Sequence, residues 1–180
     1  MKYSTAIILL CLIGFFIYAN SLTNGFVWDD EEQIVNNTVI RSWQNLPLLF
    51  SSSTFYAGGA GLSGGFYRPL VTLSYMLNYS VWGSDAFGFR LFQIFFHLIN
   101  VILIFFLLQK IFRIHKVEYG NRAAFLAALL FAVHPANVES VVYVGSIGEI
   151  FYAMFVILAL LVMLDGIDHK ARMLKNKNLS

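Results

Sequence analysis

The segment Phe26-Val27-Trp28-Asp29-Asp30-Glu31-Glu32 sets four carboxylates in a row behind apolar and aromatic residues. Adjacent carboxylates repel, and beside a membrane they are poorly solvated, so at least one is expected to hold its proton above the usual range. A carboxylate biased in that way suits general-base work. The same run also fits the first turn of a helix, where acids are stabilised by the macrodipole. Residue types alone leave both readings open.

The surrounding chain narrows the setting. It is 58% hydrophobic, 17% aromatic and 12% charged, with a mean hydropathy of +0.69. That composition is expected of an all-α polytopic membrane protein. A net charge of +2 carries no nucleic-acid footprint. Cys11 is the single cysteine, so neither a disulfide nor a cysteine metal cage forms within one chain. Four transmembrane helices are expected near residues 4–22, 87–112, 122–138 and 148–164, the third ending around Pro135. The first reads as an uncleaved signal anchor; a cleaved signal peptide ending at Ala19 or Ser21 is the alternative. Residues 1–164 form the membrane domain in this reading, and 165–180 a basic cytoplasmic tail.

Lys and Arg are distributed unevenly. Lys2 opens the chain; Lys110, Arg113, Lys116 and Arg122 surround the short middle connection; Lys170, Arg172, Lys175 and Lys177 fill the tail. The loop 23–86 has only Arg41 and Arg68 against Asp29, Asp30, Glu31, Glu32 and Asp85. The positive-inside rule therefore predicts cytoplasmic termini and an extracytoplasmic first loop. Within that loop, Val39 to Phe50 reads as an interfacial helix anchored by Trp43, and Val71 to Trp82, behind Pro69, as a second interfacial or re-entrant helix. Ala57 to Gly65 is a glycine-rich link without the Lys and Ser/Thr of a phosphate-binding loop.

Arg90, Gln93, His97 and Asn100 recur at intervals of three, four and three on the second span. At ~100° per residue they form a stripe about 15 Å long. Lipid exposure of such groups is costly, so the stripe is expected to face protein or water. Helix–helix bonding would explain it; a polar substrate cleft explains four in one line, descending from the acidic side, slightly better. His134 and Glu139 fall at the outer end of the third span, where a polar helix cap and a site role are both open. Glu149 opens the fourth span near the same surface. Acids at the mouth, a polar wall below and Arg68 nearby suit a lipid-linked, phosphate-bearing donor. Arg68 would hold the phosphate, and Asp29 or Asp30 would take a hydroxyl proton. Hard oxygen ligands at Asp29 and Asp30 would also suit Mg²⁺ or Mn²⁺.

Several segments resemble the start of C-type (GT-C) integral-membrane glycosyltransferases, specifically the protein O-mannosyltransferase-like proteins that carry tetratricopeptide repeats. They are Phe26-Val27-Trp28-Asp29-Asp30 with Ile34 and Asn37, Tyr67-Arg68-Pro69-Leu70 with Asn78-Tyr79, His97-Leu98-Ile99-Asn100, and Leu130 to Pro135 with Glu139. The resemblance implies a catalytic acid in the first outer loop and a polyprenyl- or dolichyl-phosphate sugar donor. Tyr67, Arg68, Arg90, Gln93, His97, Asn100, His134 and Glu139 are then the expected donor-binding positions. It further implies a protein, glycan or lipid hydroxyl as acceptor, and a bacterial inner membrane or endoplasmic reticulum as location. Two positions depart from that pattern: Arg90 and Gln93 stand where His and Asn are expected, and Gly145-Ser146-Ile147-Gly148 lacks an expected Arg. Members of this group have many more spans, so a four-span chain is expected to be the N-terminal part of a GT-C fold. As a fragment it would form part of the active-site wall without closing the cleft.

Overall fold

The computed structural model describes residues 2–54 and 66–177; the expected glycine-rich link lies outside the described residues. Helix accounts for 82% of the described residues, with no strand among them. α1 (Tyr3–Tyr18) is an apolar run with no proline to break it, and it tightens into a 3₁₀ turn at Ala19–Thr23. The loop that follows holds one π turn (Glu31–Val35), two 3₁₀ turns and the four-residue α2 (Leu46–Leu49). α3 (Pro69–Trp82) starts on a proline, whose missing N–H is no loss at a first helical position. Gly83 ends it with a φ of +60° that only glycine adopts readily. Asp85 then caps α4 (Ala86–Ile114) by accepting from the Phe87 N–H at 3.0 Å.

α5 (Gly120–Val133) stops where His134 turns extended before Pro135, as residues preceding proline do. A 3₁₀ turn at Pro135–Asn137 and the short α6 (Val138–Val142) continue it after a bend of 49°. α7 (Ile147–Lys177) closes the chain. Three stretches, Tyr3–Thr23, Ala86–Ile114 and Val144–Lys170, are long and apolar enough to cross a membrane, and the bent α5–α6 pair makes a fourth.

One expectation is corrected. Val39 to Phe50 is not one helix: Ser42 is extended (φ −143°, ψ 132°), and its hydroxyl caps a new turn instead. α7 itself runs on through residues 165–177 without a proline to stop it. Lys110 of α4 pairs with Asp165 there, which holds the continuing helix against the bundle.

Two apolar clusters sit one at each end of the bundle. The basic end packs on small residues: Ala124, Ala128 and Ala132 line up at intervals of four on α5 against Leu10, Val101 and Phe105. Small residues let backbones approach closely, which drives helix association in lipid. At Gly14 a Cβ would lie 2.7 Å from a Leu98 δ-carbon. The acidic end buries Ile34, Ile40, Tyr75, Met76, Phe89 and Ile94, which packs loop and α3 onto α4.

The polar edge of α4 joins these layers. Arg90 is 1% exposed. Its Nε donates to the Asn24 carbonyl at 2.9 Å, and its other two nitrogens reach the Gly25 and Val142 carbonyls. Gln93 donates to the carbonyls of Ser140, at 2.8 Å, and Tyr143. His97 Nε2 lies 3.2 Å from the Ala132 carbonyl, and Asn100 donates to that of Ile150 at 2.9 Å. All these carbonyls except Ile150's lie at helix ends or just beyond them, where the helical ladder runs out; Tyr143's also accepts from the Ser146 N–H at 3.1 Å. An unpaired carbonyl inside a bundle costs about 1–3 kcal/mol. Arg90→Met orphans three at once, so a loss of about 3 kcal/mol or more is expected. Thermal unfolding followed by dye labelling of Cys11, the sole cysteine, should move down by several degrees.

Candidate functional site

The acidic run folds back on itself at Trp28 and then opens a helical turn, with Asp30 at the N-cap and Glu31 and Glu32 in the first turn of Glu31–Val35. Trp28 takes a left-handed φ of 52°, a conformation costly for a bulky residue. The reversal lets Asp30 accept from the Val27 N–H through Oδ2 at 3.1 Å, while the Asp30 N–H bonds the Val27 carbonyl at 3.1 Å. Oδ1 accepts from the Gly145 N–H at 2.8 Å, a residue 115 positions away. Gly145 is glycine for a steric reason: a Cβ there would lie 2.6 Å from the Tyr143 ring.

Adjacent aspartates therefore meet different surroundings. Asp30 is fully buried, and burial pushes its carboxyl up to about 6. The two N–H bonds and the Arg90 charge pull the other way without cancelling that rise. Asp29 is exposed and lines a cleft of about 260 Å³ with Arg68, Tyr143, Ser146, Glu149 and Tyr152. The Arg68 guanidinium lies over the Phe66 ring, 4.8 Å from its centre. Glu149 accepts from the Ser140 hydroxyl. Burial, followed by the charges of Asp29 and Asp30, holds the Tyr143 phenol up at about 12. Tyr143 thus stays protonated at neutral pH, and its ring meets Trp28 edge-on at 5.5 Å.

Tyr143 also lines a second, wider cavity of about 1000 Å³ with Gly25, Trp28, Arg90, Pro135 and Glu139. The sequence-predicted residues thus divide. Asp29 and Arg68 share the small cleft; Arg90 and Glu139 share the wide cavity. Gln93, His97 and Asn100 are buried with their nitrogens on backbone carbonyls, the helix–helix bonding weighed above. His134 is exposed, and its Nδ1 caps the 3₁₀ turn by accepting from Ala136 N–H at 3.1 Å. Tyr67 donates its hydroxyl to the Phe50 carbonyl at 3.1 Å. As to a metal, the Asp30 oxygens already accept N–H bonds, and no group of three His, Cys, Asp or Glu converges among the described residues. The aspartate pair does not fit a divalent cation on those terms.

Sequence reasoning passed over Tyr143 and Ser146. The signal available for them was the break Tyr143-Val144-Gly145-Ser146 between two apolar segments.

A multi-pass helical protein with an acid-lined cleft at one bundle end is the class these features define. No family model matches the chain, and no solved structure does. Curated relatives do match. It is 33% identical over 158 residues to "Protein O-mannosyl-transferase F38B6.6" of Caenorhabditis elegans, covering 86% of this chain and 22% of that protein. It is 34% identical to "Protein O-mannosyl-transferase TMTC1" of Mus musculus, covering 84% of this chain and 16% of the relative. For "Protein O-mannosyl-transferase TMTC4" of Mus musculus the identity is 32%, over 83% and 21%. The chain is a homologue of these protein O-mannosyl-transferases. It spans about a fifth of the length of the curated relatives it matches.

The buried carboxyl has a pH signature. Its folded pKa lies above the usual 3.8, so its contribution to stability is fully present below pH 3.8 and is lost as pH rises through about 6. Infrared titration should show a protonated carboxyl disappearing near pH 6. Asp30→Asn should abolish that band and flatten the fall in stability over the same window.

Gly145→Ala should displace the Tyr143 ring and lengthen the Asp30 bond. Tyrosine fluorescence or ultraviolet difference spectra at Tyr143, against a Tyr143→Phe control, would report the displacement.

Proposed function

We propose that this chain is the catalytic-loop portion of a GT-C membrane glycosyltransferase. In this reading it moves a sugar, mannose by analogy with its relatives' names, from a polyprenyl- or dolichyl-phosphate donor to a hydroxyl acceptor. A protein Ser or Thr is the acceptor class that "O-mannosyl-transferase" suggests. The observation that carries the proposal is the small cleft, in which Asp29, Arg68, Tyr143 and Glu149 meet from segments far apart in sequence.

The roles follow from exposure and charge. Asp29 has a solvent-facing carboxylate, so it takes the proton of the acceptor hydroxyl. The hydroxyl oxygen attacks the anomeric carbon. The bond from that carbon to the phosphate oxygen breaks, and the lipid phosphate leaves with the electron pair. Arg68 holds that phosphate by charge-assisted bonds. Asp30 positions the loop; it does not face the cleft. Arg90 fixes Asn24 and Gly25 beside the wide cavity, which admits the acceptor or the lipid chain. No step is routed through a metal. The acidic end is extracytoplasmic in this reading, because the cations of the middle connection gather at the opposite end.

A second reading is a non-catalytic module that binds lipid-linked sugars, favoured by the polar stripe of α4, whose Gln93, His97 and Asn100 are spent on backbone carbonyls. One substitution separates the two. In a version of the protein that carries transfer activity, Asp29→Asn should lower turnover by about 10²-fold or more while donor binding persists. Arg68→Gln should weaken donor binding instead. Unchanged turnover in Asp29→Asn would remove the base from the scheme.

A further inference from the structure

The opposite end of the bundle carries a second cavity that the transfer reading does not use. It has a volume of about 820 Å³, within the size range of small-ligand sites. Lys110, Arg113, Lys116 and Arg122 line it, against a single lining carboxylate, Asp165. Asp165 is already paired with Lys110, and Arg113 lies 3.9 Å from Asp168. Glu118 lies in the same connection but is not among the lining residues. The cavity therefore holds an excess of positive charge.

Two further features point to an oxygen-rich anion. Gln109 lines the cavity, and its buried amide nitrogen has no hydrogen-bond partner. A buried donor left unpaired costs free energy that an acceptor oxygen would recover. Gly120 and Asn121, the first residues of α5, also line it; the Gly120 N–H is taken by the Val117 carbonyl and the Arg122 and Ala123 N–H groups by that of Tyr119, which leaves the Asn121 N–H as the donor of that turn. The cavity opens where α4 and α7, both of membrane-spanning length and hydropathy, turn polar. A ligand with a phosphate head and acyl chains matches that position.

We propose that this cavity binds the phosphate head of an anionic glycerophospholipid from the leaflet at the basic end. Arg122 and Lys116 supply the charge, the Gln109 amide and the Asn121 N–H supply neutral donors, and the acyl chains lie along α4. The proposal is independent of the transfer chemistry at the other end.

The test uses the 180-residue chain in detergent, with native mass spectrometry during titration by phosphatidylglycerol, phosphatidylcholine or inorganic phosphate. One phosphatidylglycerol per chain should bind saturably and in preference to phosphatidylcholine. Arg122→Gln and Lys116→Gln should each weaken it about fivefold, and Arg122→Lys should largely retain it. Lys170→Gln, an exposed cation outside the lining, should leave it unchanged. Circular dichroism of each variant separates lost binding from lost folding. Equal weakening in all three glutamine variants would mean diffuse charge attraction and would overturn the site. Full displacement by inorganic phosphate would show that the site reads a free anion and would overturn the lipid assignment.

Discussion

Backbone carbonyls left over at helix ends constrain this molecule more than any apolar contact does. The chain breaks helix repeatedly at the acidic end, after Thr23, after Val133 and after Val142. Each break leaves carbonyls that lipid cannot satisfy. Arg90 and Gln93 supply donors for four of them, at Asn24, Gly25, Ser140 and Val142, and Gln93 adds a second donor at Tyr143. Net folding stabilities are only about 5–15 kcal/mol, so a cluster of orphans at 1–3 kcal/mol each would be decisive. The same bonds fix the first loop against the turn before α7. The aspartate loop inherits its place from that junction.

Once the junction is set, two neighbouring carboxylates separate in character. The left-handed turn at Trp28 sends Asp30 inward to the Gly145 N–H and leaves Asp29 outward beside Arg68. Desolvation raises the buried acid, and the exposed one stays available to a ligand. The phenol of Tyr143 stands between the narrow cleft and the wide cavity, where burial and then nearby negative charge keep it protonated. A carboxylate and a cation thus come to lie in one cleft without an ion pair between them among the described residues.

The two bundle ends differ in kind. One gathers carboxylates and helix breaks; the other gathers cations around a short connection and closes on small residues. Small-residue packing at Gly14, Ala124, Ala128 and Ala132 permits the close approach that holds the spans at the basic end. Polar bonds from α4 do that work at the acidic end. Homology to the O-mannosyl-transferases covers both halves, since it extends over some 85% of the chain.

The four apolar stretches, the proline start of α3 and the inward-facing stripe on α4 were legible in the sequence, because hydropathy and a 3.6-residue period are local properties. So was the clustering of Asp29 and Asp30 behind an apolar run. What the residue order could not decide was which aspartate is buried, since that depends on a φ angle at Trp28 and on a partner 115 residues away. Nor could spacing tell a substrate wall from backbone bonding on the ladder, because donors look the same until their acceptors are placed. Tyr143 and Ser146 joined Asp29 only through chain folding. Composition and periodicity determined the membrane helices and their faces. Only the tertiary structure, by pairing carbonyls left over at distant helix ends, decided which side chains meet in the cleft.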